Sequence, residues 1–287
     1  MSNSQLQHLV SALAETRKEE FASQFFSKAL MIFLLMKIVT MYIAISPTDL
    51  ASAKVSGSIL GWVLFLPASL ADNNLFAFTT LCFLTIMVLL WLRVNYIGNV
   101  LIFWLVVNVF RFKVPVVNGS DIVLLVLSIY NIGLAARPLP HSLYAETFST
   151  VIFNVSRVLI QFQIILIYFI SGWDKLISPL WRSGEAFAYI SHLDVFFNPY
   201  FQSWFENDFA QKIFAWITIL FELLFVVLVY KKRTRLIILC VGVLFHLIIW
   251  AMFNLPDFAL MMILSYFIFL KDSDYAWLRS KLKLQLP

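Results

Sequence analysis

Long apolar runs constrain this chain more than any other feature of its sequence. Segments such as 213–230 and 235–253 are almost free of charged side chains over their whole length. An α-helix needs about 20 apolar residues to cross the hydrocarbon core of a bilayer. With 61% apolar and only 13% charged residues, the chain carries more apolar surface than a soluble domain of 287 residues covers. The sequence therefore predicts an integral membrane protein.

The apolar runs predict an all-α, polytopic membrane helical bundle with about eight crossings. The expected spans lie near residues 25–45, 74–92, 96–110, 122–136, 149–170, 213–230, 235–253 and 257–270. A shorter apolar stretch, 55–70, contains Pro67, and we expect it to be re-entrant or interfacial. The aromatic-rich segment 171–212 is expected to form an outer interfacial helical segment, with a helix starting at Ser178-Pro179.

Two terminal segments complete the expected organisation. Residues 1–24 form an amphipathic lead-in, which is expected to lie along the inner membrane surface, and residues 271–287 form a basic tail. The transmembrane domain then covers residues 25–270. We expect no cleavable signal peptide, because the first residues are polar and Lys28 and Lys37 interrupt the first apolar segment.

The basic residues indicate the orientation of the chain. Short cytoplasmic loops carry an excess of Lys and Arg, and KKRTR at residues 231–235 is the strongest such marker. If 55–70 does not cross, both termini lie in the cytoplasm and the basic excess on that side is largest; a crossing there gives a smaller excess. The net charge of +5 thus reflects topology in the plasma membrane, and we expect no nucleic-acid surface.

Ionisable side chains inside apolar runs are costly in a bilayer, so each one marks a candidate site. Glu222 and His246 fall near the middle of their spans, at depths where they would meet. A hydrogen-bonded pair of Glu222 with His246 or with Lys37 would lock helices together. A proton relay or a substrate-orienting pair would be functional instead. The residues alone leave both interpretations open.

Lys175 directly follows an apolar run and stands next to Asp174. Its position favours a lysine that extends to the lipid headgroups; the alternative is a neutral base held in aromatic-rich surroundings. Arg157 is expected to face the bundle interior, where it neutralises a carboxylate or binds an anionic or carbonyl-bearing ligand. We also assign Trp181 and Trp250 as candidate cofactor contacts.

Several enzyme motifs are absent from the sequence. It contains no Gly-rich phosphate loop, no HExxH or CxxC metal spacing and no GxSxG nucleophile elbow. The four histidines fall in unrelated segments, so we predict no metal site.

Three segments resemble a known family. YFISGWDKLISPLWRSG, residues 168–184, resembles the Gly-x-x-Lys-Leu…Trp-x-x-Gly signature of the horizontally transferred transmembrane (HTTM) family, to which the membrane domain of vitamin K-dependent gamma-carboxylase belongs. FELLFVVL at 221–228, followed by LFHLIIWAMFNLPDFALMMILSYF at 244–267, is similar to that family's acidic-residue helix and Phe-His helix. A weaker match is VNGSDIVLLVL at 117–127.

The resemblance implies a chemistry for these residues. In the carboxylase, the lysine of the signature deprotonates vitamin K hydroquinone, and oxygen then converts the quinol anion into a base strong enough to remove a proton from a substrate glutamate. The resemblance thus implies Lys175 as the base, His246 and Glu222 as polar groups of the membrane core, and a lipid quinol as cofactor. Ser120 and Asp121 stand where the carboxylase has a histidine. The large extramembrane domain of the animal enzyme has no counterpart, so true gamma-carboxylation is not expected.

The length of the chain resembles the small bacterial branch that includes the sporulation-delaying protein B family. Its members are associated with maturing a secreted peptide toxin alongside another factor. The expected function is therefore modification or maturation of an exported peptide or protein, with an accessory maturation subunit as partner. Two alternatives stay open: a non-enzymatic scaffold or immunity-like factor that binds a peptide through 178–205, and a transporter with Arg157, Glu222 and His246 as a polar path.

Overall fold

The described chain is helical throughout. A computed structural model describes residues 20–44, 75–92, 94–113, 118–136, 143–193 and 196–275, and these ranges contain no strand. The all-α class predicted from the sequence is confirmed. The helices are α1 (Glu20–Ala44), α2 (Leu75–Trp91), α3 (Tyr96–Lys113), α4 (Gly119–Gly133), α5 (Leu143–Ile177), α6 (Pro179–Ser183), α7 (Glu185–Ser191), α8 (Asp208–Leu228), α9 (Arg235–Phe253) and α10 (Pro256–Ser265), with 3-10 helices at Pro199–Phe205 and Tyr266–Phe269.

Each predicted span overlaps a helix among the residues that the structure describes. Within the described ranges, four helices are long and apolar enough to cross a membrane: Glu20–Thr40, Thr147–Ile177, Asp208–Leu228 and Arg235–Phe253. Shorter apolar helices occupy Thr80–Trp91, Tyr96–Phe110, Gly119–Gly133 and Pro256–Phe269. The helical membrane architecture is therefore confirmed, and the number of crossings stays a prediction. Segment 55–70, residues 1–19 of the lead-in and residues 276–287 of the tail lie outside the described residues.

Helix α5 is longer than the sequence predicts. The expected span was 149–170, but the helix runs from Leu143 to Ile177 and carries Lys175 in its last turn. It ends where Pro179 follows, because a proline disfavours helical backbone in the residue before it. Ser178 accordingly has extended backbone, and Pro179 begins α6 at its first position, as predicted.

The helices divide into two compact units. The first comprises residues 1–160 and 271–287, and the second comprises residues 161–270. A fully buried ion pair lies in the first unit, where Lys37 Nζ is 2.9 Å from Asp121 Oδ1. Asp121 also closes a capping box with Asn118 at the start of α4. This pairing corrects the expectation that Lys37 would pair with Glu222.

The outer segment of the second unit folds as short helices around an aromatic core. Phe187, Phe197 and Phe205 are buried and pack with Met252 near the end of α9. Asn198 fixes the segment to that helix, because its backbone N–H donates to Met252 O over 2.8 Å. The predicted aromatic belt is thus divided between this core and the exposed residues Tyr189, Phe196, Tyr200 and Trp204.

Candidate functional site

One face of α5 carries three polar side chains and a glycine. Tyr168, Ser171, Gly172 and Lys175 are spaced three, four and seven residues apart, which places them on the same side of a helix with 3.6 residues per turn. Ser171 and Lys175 on this side contact Glu222 of α8. Tyr168 contacts His246 of α9 and Tyr266 instead. The helical extension beyond residue 170 is what brings Lys175 into this line.

Lys175 and Glu222 form a partly buried ion pair. Lys175 Nζ lies 2.9 Å from both carboxylate oxygens of Glu222. Ser171 Oγ donates to Glu222 Oε1 over 3.0 Å, and Lys175 Nζ donates to Ser171 Oγ. The side chains of Lys175 and Glu222 are 17% and 8% exposed. Lys175 is therefore held inside the protein by a carboxylate and does not extend freely to the headgroups.

Gly172 allows the two helices to approach closely enough for this ion pair. A Cβ atom at Gly172 would lie 3.0 Å from Glu222 Cβ and 3.0 Å from Leu223 Cδ2. Such distances are shorter than ordinary van der Waals contacts between carbon atoms. The glycine of the signature thus sets the distance between α5 and α8 at the position of Glu222.

Trp181 and Gly184, the second half of the signature, shape the surroundings of the ion pair. Lys175 Nζ lies 5.1 Å from the centre of the Trp181 ring, within the range of a cation–π contact. Gly184 joins α6 to α7 with a φ of 97°, a conformation that favours glycine. A Cβ there would lie 2.6 Å from the backbone nitrogen of Lys212, so Gly184 also lets the turn pack on the start of α8.

The ion pair lies on the wall of a cavity of about 400 Å³. Its polar lining consists of Ser171, Lys175, Thr218 and Glu222. The remaining lining is apolar and largely aromatic: Trp181, Phe187, Phe214, Ile217, Phe245, Ile248, Ile249, Met252, Phe253, Leu255 and Phe258. Small-molecule sites typically have volumes of about 300–1,000 Å³ and mostly apolar walls with a few polar groups. The cavity therefore matches a site for an apolar ligand with one polar end.

His246 lies behind the cavity wall and does not contact Glu222. Its Nε2 is 2.6 Å from the hydroxyl of Tyr168, which is 2.5 Å from the hydroxyl of Tyr266. The imidazole packs against Phe245 and Phe258, both of which line the cavity. The alternative in which His246 pairs with Glu222 is not what the structure has: Glu222 pairs with Lys175, and His246 bonds to Tyr168.

The other two candidate residues lie away from the cavity lining. Trp250 is 39% exposed and does not line the cavity, although its neighbours Ile248 and Ile249 do. Arg157 belongs to the first unit, where its charge acts on Tyr275. Trp181 is the one candidate cofactor contact that lines the cavity.

Ser171, Tyr168 and Tyr266 were not identified from the sequence. Ser171 and Tyr168 stand four and seven residues before Lys175, so helical spacing back from the lysine would have found both. Tyr266 had no such signal, because it reaches the site from a 3-10 helix distant in sequence. Gly242 makes room for it, since a Cβ there would lie 2.8 Å from the Tyr266 ring.

The arrangement provides proton-transfer groups beside an apolar chamber. Lys175 Nζ is a hydrogen-bond donor on the cavity wall, and Glu222 accepts its hydrogen bond over 2.9 Å. Among the described residues, no three His, Cys, Asp or Glu side chains form a group that could hold a metal ion.

The comparisons with known proteins agree with the signature on α5. The HTTM domain matches residues 62–274, which include every residue of the cavity lining. Comparisons with curated proteins and with solved structures gave no significant match. Because the HTTM match covers well over half of the 287 residues, the chain belongs to the HTTM domain family of membrane proteins.

Proposed function

We propose that this protein acts at the plasma membrane in the modification or maturation of an exported peptide or protein, with a lipid quinol as cofactor and Lys175 as base. The observation that carries the proposal is the position of Lys175. Its Nζ lies 2.9 Å from a carboxylate on the wall of an otherwise apolar cavity. This pair differs from the buried Lys37–Asp121 pair in that it lines a cavity, and ionisable groups in a cleft are candidates for a chemical role.

The residues of the cavity fit a quinol. Its aromatic and aliphatic walls suit a ring with an apolar substituent, and its polar corner offers an ammonium, a carboxylate and two hydroxyls. When bound, a lipid quinol supplies an acidic O–H group and, with oxygen, the strong base that a carboxylase-like reaction requires.

The chain's own residues prepare Lys175 for this role. Ser171 donates to Glu222 Oε1 and so fixes the carboxylate in place. Glu222 takes a proton from Lys175, and the resulting neutral amine accepts the proton of the ligand hydroxyl. Trp181 covers the amine and keeps water away from it. The apolar walls strengthen each of these electrostatic contacts, because the local dielectric constant is low.

A comparison of exported peptides tests the proposal. Cells that produce the wild-type protein are compared by mass spectrometry with cells that produce Lys175→Met, at matched amounts of protein in the membrane. Lys212→Met is the control, because Lys212 is exposed and does not line the cavity. We expect the mass of at least one exported peptide to change in the Lys175→Met cells only.

The opposite result would count directly against the proposed chemistry. If Lys175→Met accumulates normally and the exported peptides are identical to those of the wild type, Lys175 is not the base. If the cells lack an accessory subunit, no strain makes the modified peptide. The wild-type sample reveals this case, because it then contains no modified peptide either.

A second function has an observation of its own. Tyr189, Tyr200 and Trp204 are exposed on the outer segment, where they suit a non-enzymatic factor that binds a peptide. This alternative predicts that Trp204→Ala abolishes peptide capture while Lys175→Met has no effect. The enzyme proposal predicts the opposite: Lys175→Met abolishes the modification, and Trp204→Ala has no effect.

A further inference from the structure

Two residues of the cavity lining are strongly exposed. Ile217 and Ile248 are 54% and 41% exposed. Both are isoleucines, and they lie on the consecutive helices α8 and α9. The most exposed part of the lining is therefore apolar.

Another part of the cavity wall consists of buried, packed apolar residues. Phe187 and Met252 line the cavity and are 4% and 2% exposed. They belong to the buried cluster that also contains Phe197 and Phe205, whose ring centres lie 5.7 Å apart. A ligand that entered past Phe187 and Met252 would have to separate this core.

The surface around Ile217 and Ile248 suits contact with lipid. Leu220 and Leu224 on α8 are 50% and 48% exposed, and Leu244 and Leu247 on α9 are 59% and 44% exposed. These helices are two of those long and apolar enough to cross a membrane. In a membrane-spanning helix, exposed leucines face hydrocarbon. Ile217 and Ile248 lie among these leucines on the same two helices, so we expect them to face lipid as well.

We infer that the cavity takes its ligand laterally from the bilayer, between α8 and α9, and that the ligand is an amphiphile with a hydroxyl head and a long apolar tail. The head lies at the Lys175–Glu222 pair, and the tail passes Ile217 and Ile248 into the lipid. The inference deepens the proposed function at the same site, and it depends on that function only for the identity of the head group. The position of the ligand's tail is inferred only from the exposure of Ile217 and Ile248.

Photolabelling with a tailed alcohol tests this route. The probe is hexadecanol with a diazirine in its chain, added to the full-length protein in phosphatidylcholine vesicles, and labelled residues are mapped by mass spectrometry. The variant Ile217→Trp/Ile248→Trp narrows the proposed entry between α8 and α9. The matched control is Leu220→Trp/Leu247→Trp, which places the same bulk on exposed positions of the same helices outside the cavity lining.

We expect label on cavity residues such as Thr218 and Phe245 in the wild type and in the control. In the Ile217→Trp/Ile248→Trp variant the label there should fall about tenfold, as expected when contacts of a few methylene groups are lost. Equal thermal melting temperatures of the two double variants show that folding does not explain the difference. Unchanged label in the narrowed variant, or no cavity label in the wild type, overturns the lateral route.

The outcome also separates this inference from the proposed function. If the narrowed variant loses label while Lys175→Met still modifies exported peptides, the lateral route holds and the role of Lys175 as base fails. If Lys175→Met abolishes modification while the narrowed variant labels normally, the base holds and the lateral route fails.

Discussion

Lys175 is surrounded by residues of its own helix one turn earlier, by Glu222 of α8 and by Trp181. Ser171 lies one turn before it and shares the carboxylate of Glu222. Gly172 leaves the space that Glu222 occupies. The aliphatic stem and ammonium of the lysine are thereby held between two helices and the Trp181 ring. Gly172, Lys175 and Trp181 of the signature thus describe one contact between α5 and α8 and the aromatic ring beside it.

Gly172→Ala should disrupt the ion pair without removing either charge. The new methyl group meets Glu222 Cβ and Leu223 at about 3.0 Å, so α5 and α8 must separate. We expect the protein to lose roughly 1–3 kcal/mol of stability, the usual cost of overpacking. Thermal unfolding in mild detergent measures this. Gly98→Ala is the control, because its nearest neighbour is the end of the flexible Leu89 side chain; equal losses in both variants would refute the account of Gly172.

Lys37→Met should destabilise the first unit strongly. The substitution leaves the carboxylate of Asp121, which is 2% exposed, without its ammonium partner. Breaking a buried ion pair in this way costs roughly 3–5 kcal/mol. The double variant Lys37→Met/Asp121→Asn should recover much of that loss, because no uncompensated charge remains. A double variant less stable than Lys37→Met in thermal unfolding would contradict this interpretation.

At the scale of elements, the junction of α5, α6 and α7 shows what the sequence predicts well. The start of α6 at Ser178-Pro179 follows from local backbone chemistry and was predicted correctly. The end of α5 was predicted too early, because hydropathy falls at Ser171 although the helix continues for two further turns. The pairing of Lys175 with Glu222 depends on which faces of α5 and α8 meet, and hydropathy carries no such information.

Gly184→Ala tests the turn between α6 and α7. Alanine is strained at a φ of 97°, and its Cβ would lie 2.6 Å from the backbone nitrogen of Lys212. We expect a loss of roughly 2 kcal/mol or more and weaker ligand retention, because Trp181 is displaced from Lys175. Ser183→Ala changes an exposed neighbour and should alter stability by less than about 0.5 kcal/mol. A stable Gly184→Ala variant would mean that the turn tolerates other backbone conformations.

At the scale of the whole molecule, the two ends of the described chain meet in the first unit. Asp272 accepts hydrogen bonds from the backbone N–H groups of Phe21 and Ala22, and so caps the start of α1. Tyr275 packs against Phe21 with ring centres 4.9 Å apart. The apolar runs predicted the helices that this contact joins. They did not predict the contact, because it depends on single polar residues outside the runs.

Tyr275 in this contact should make the folded protein less stable at alkaline pH. Burial raises the pKa of Tyr275, and the negative charges of Asp272 and Asp274 raise it further. An unfolded tyrosine ionises near pH 10. Above about that pH the folded state holds more protons than the unfolded state, so stability falls as the pH rises. We expect Tyr275→Phe to melt at a higher temperature than the wild type between about pH 10 and pH 11.

The comparison needs an exposed tyrosine as its control. Tyr200→Phe, at a residue that is 89% exposed, should follow the wild-type melting curve at every pH. Parallel curves for Tyr275→Phe and the wild type across this range would show that Tyr275 does not cause the alkaline loss.

We propose that Lys175 holds a lipid quinol in the cavity of the second unit. The most direct measurement is mass spectrometry of the quinones that co-purify in mild detergent with the wild type, Lys175→Met and Lys212→Met. We expect nearly one quinone per protein with the wild type and with Lys212→Met, and much less quinone with Lys175→Met. No quinone with the wild type, or equal amounts with all three proteins, would contradict it.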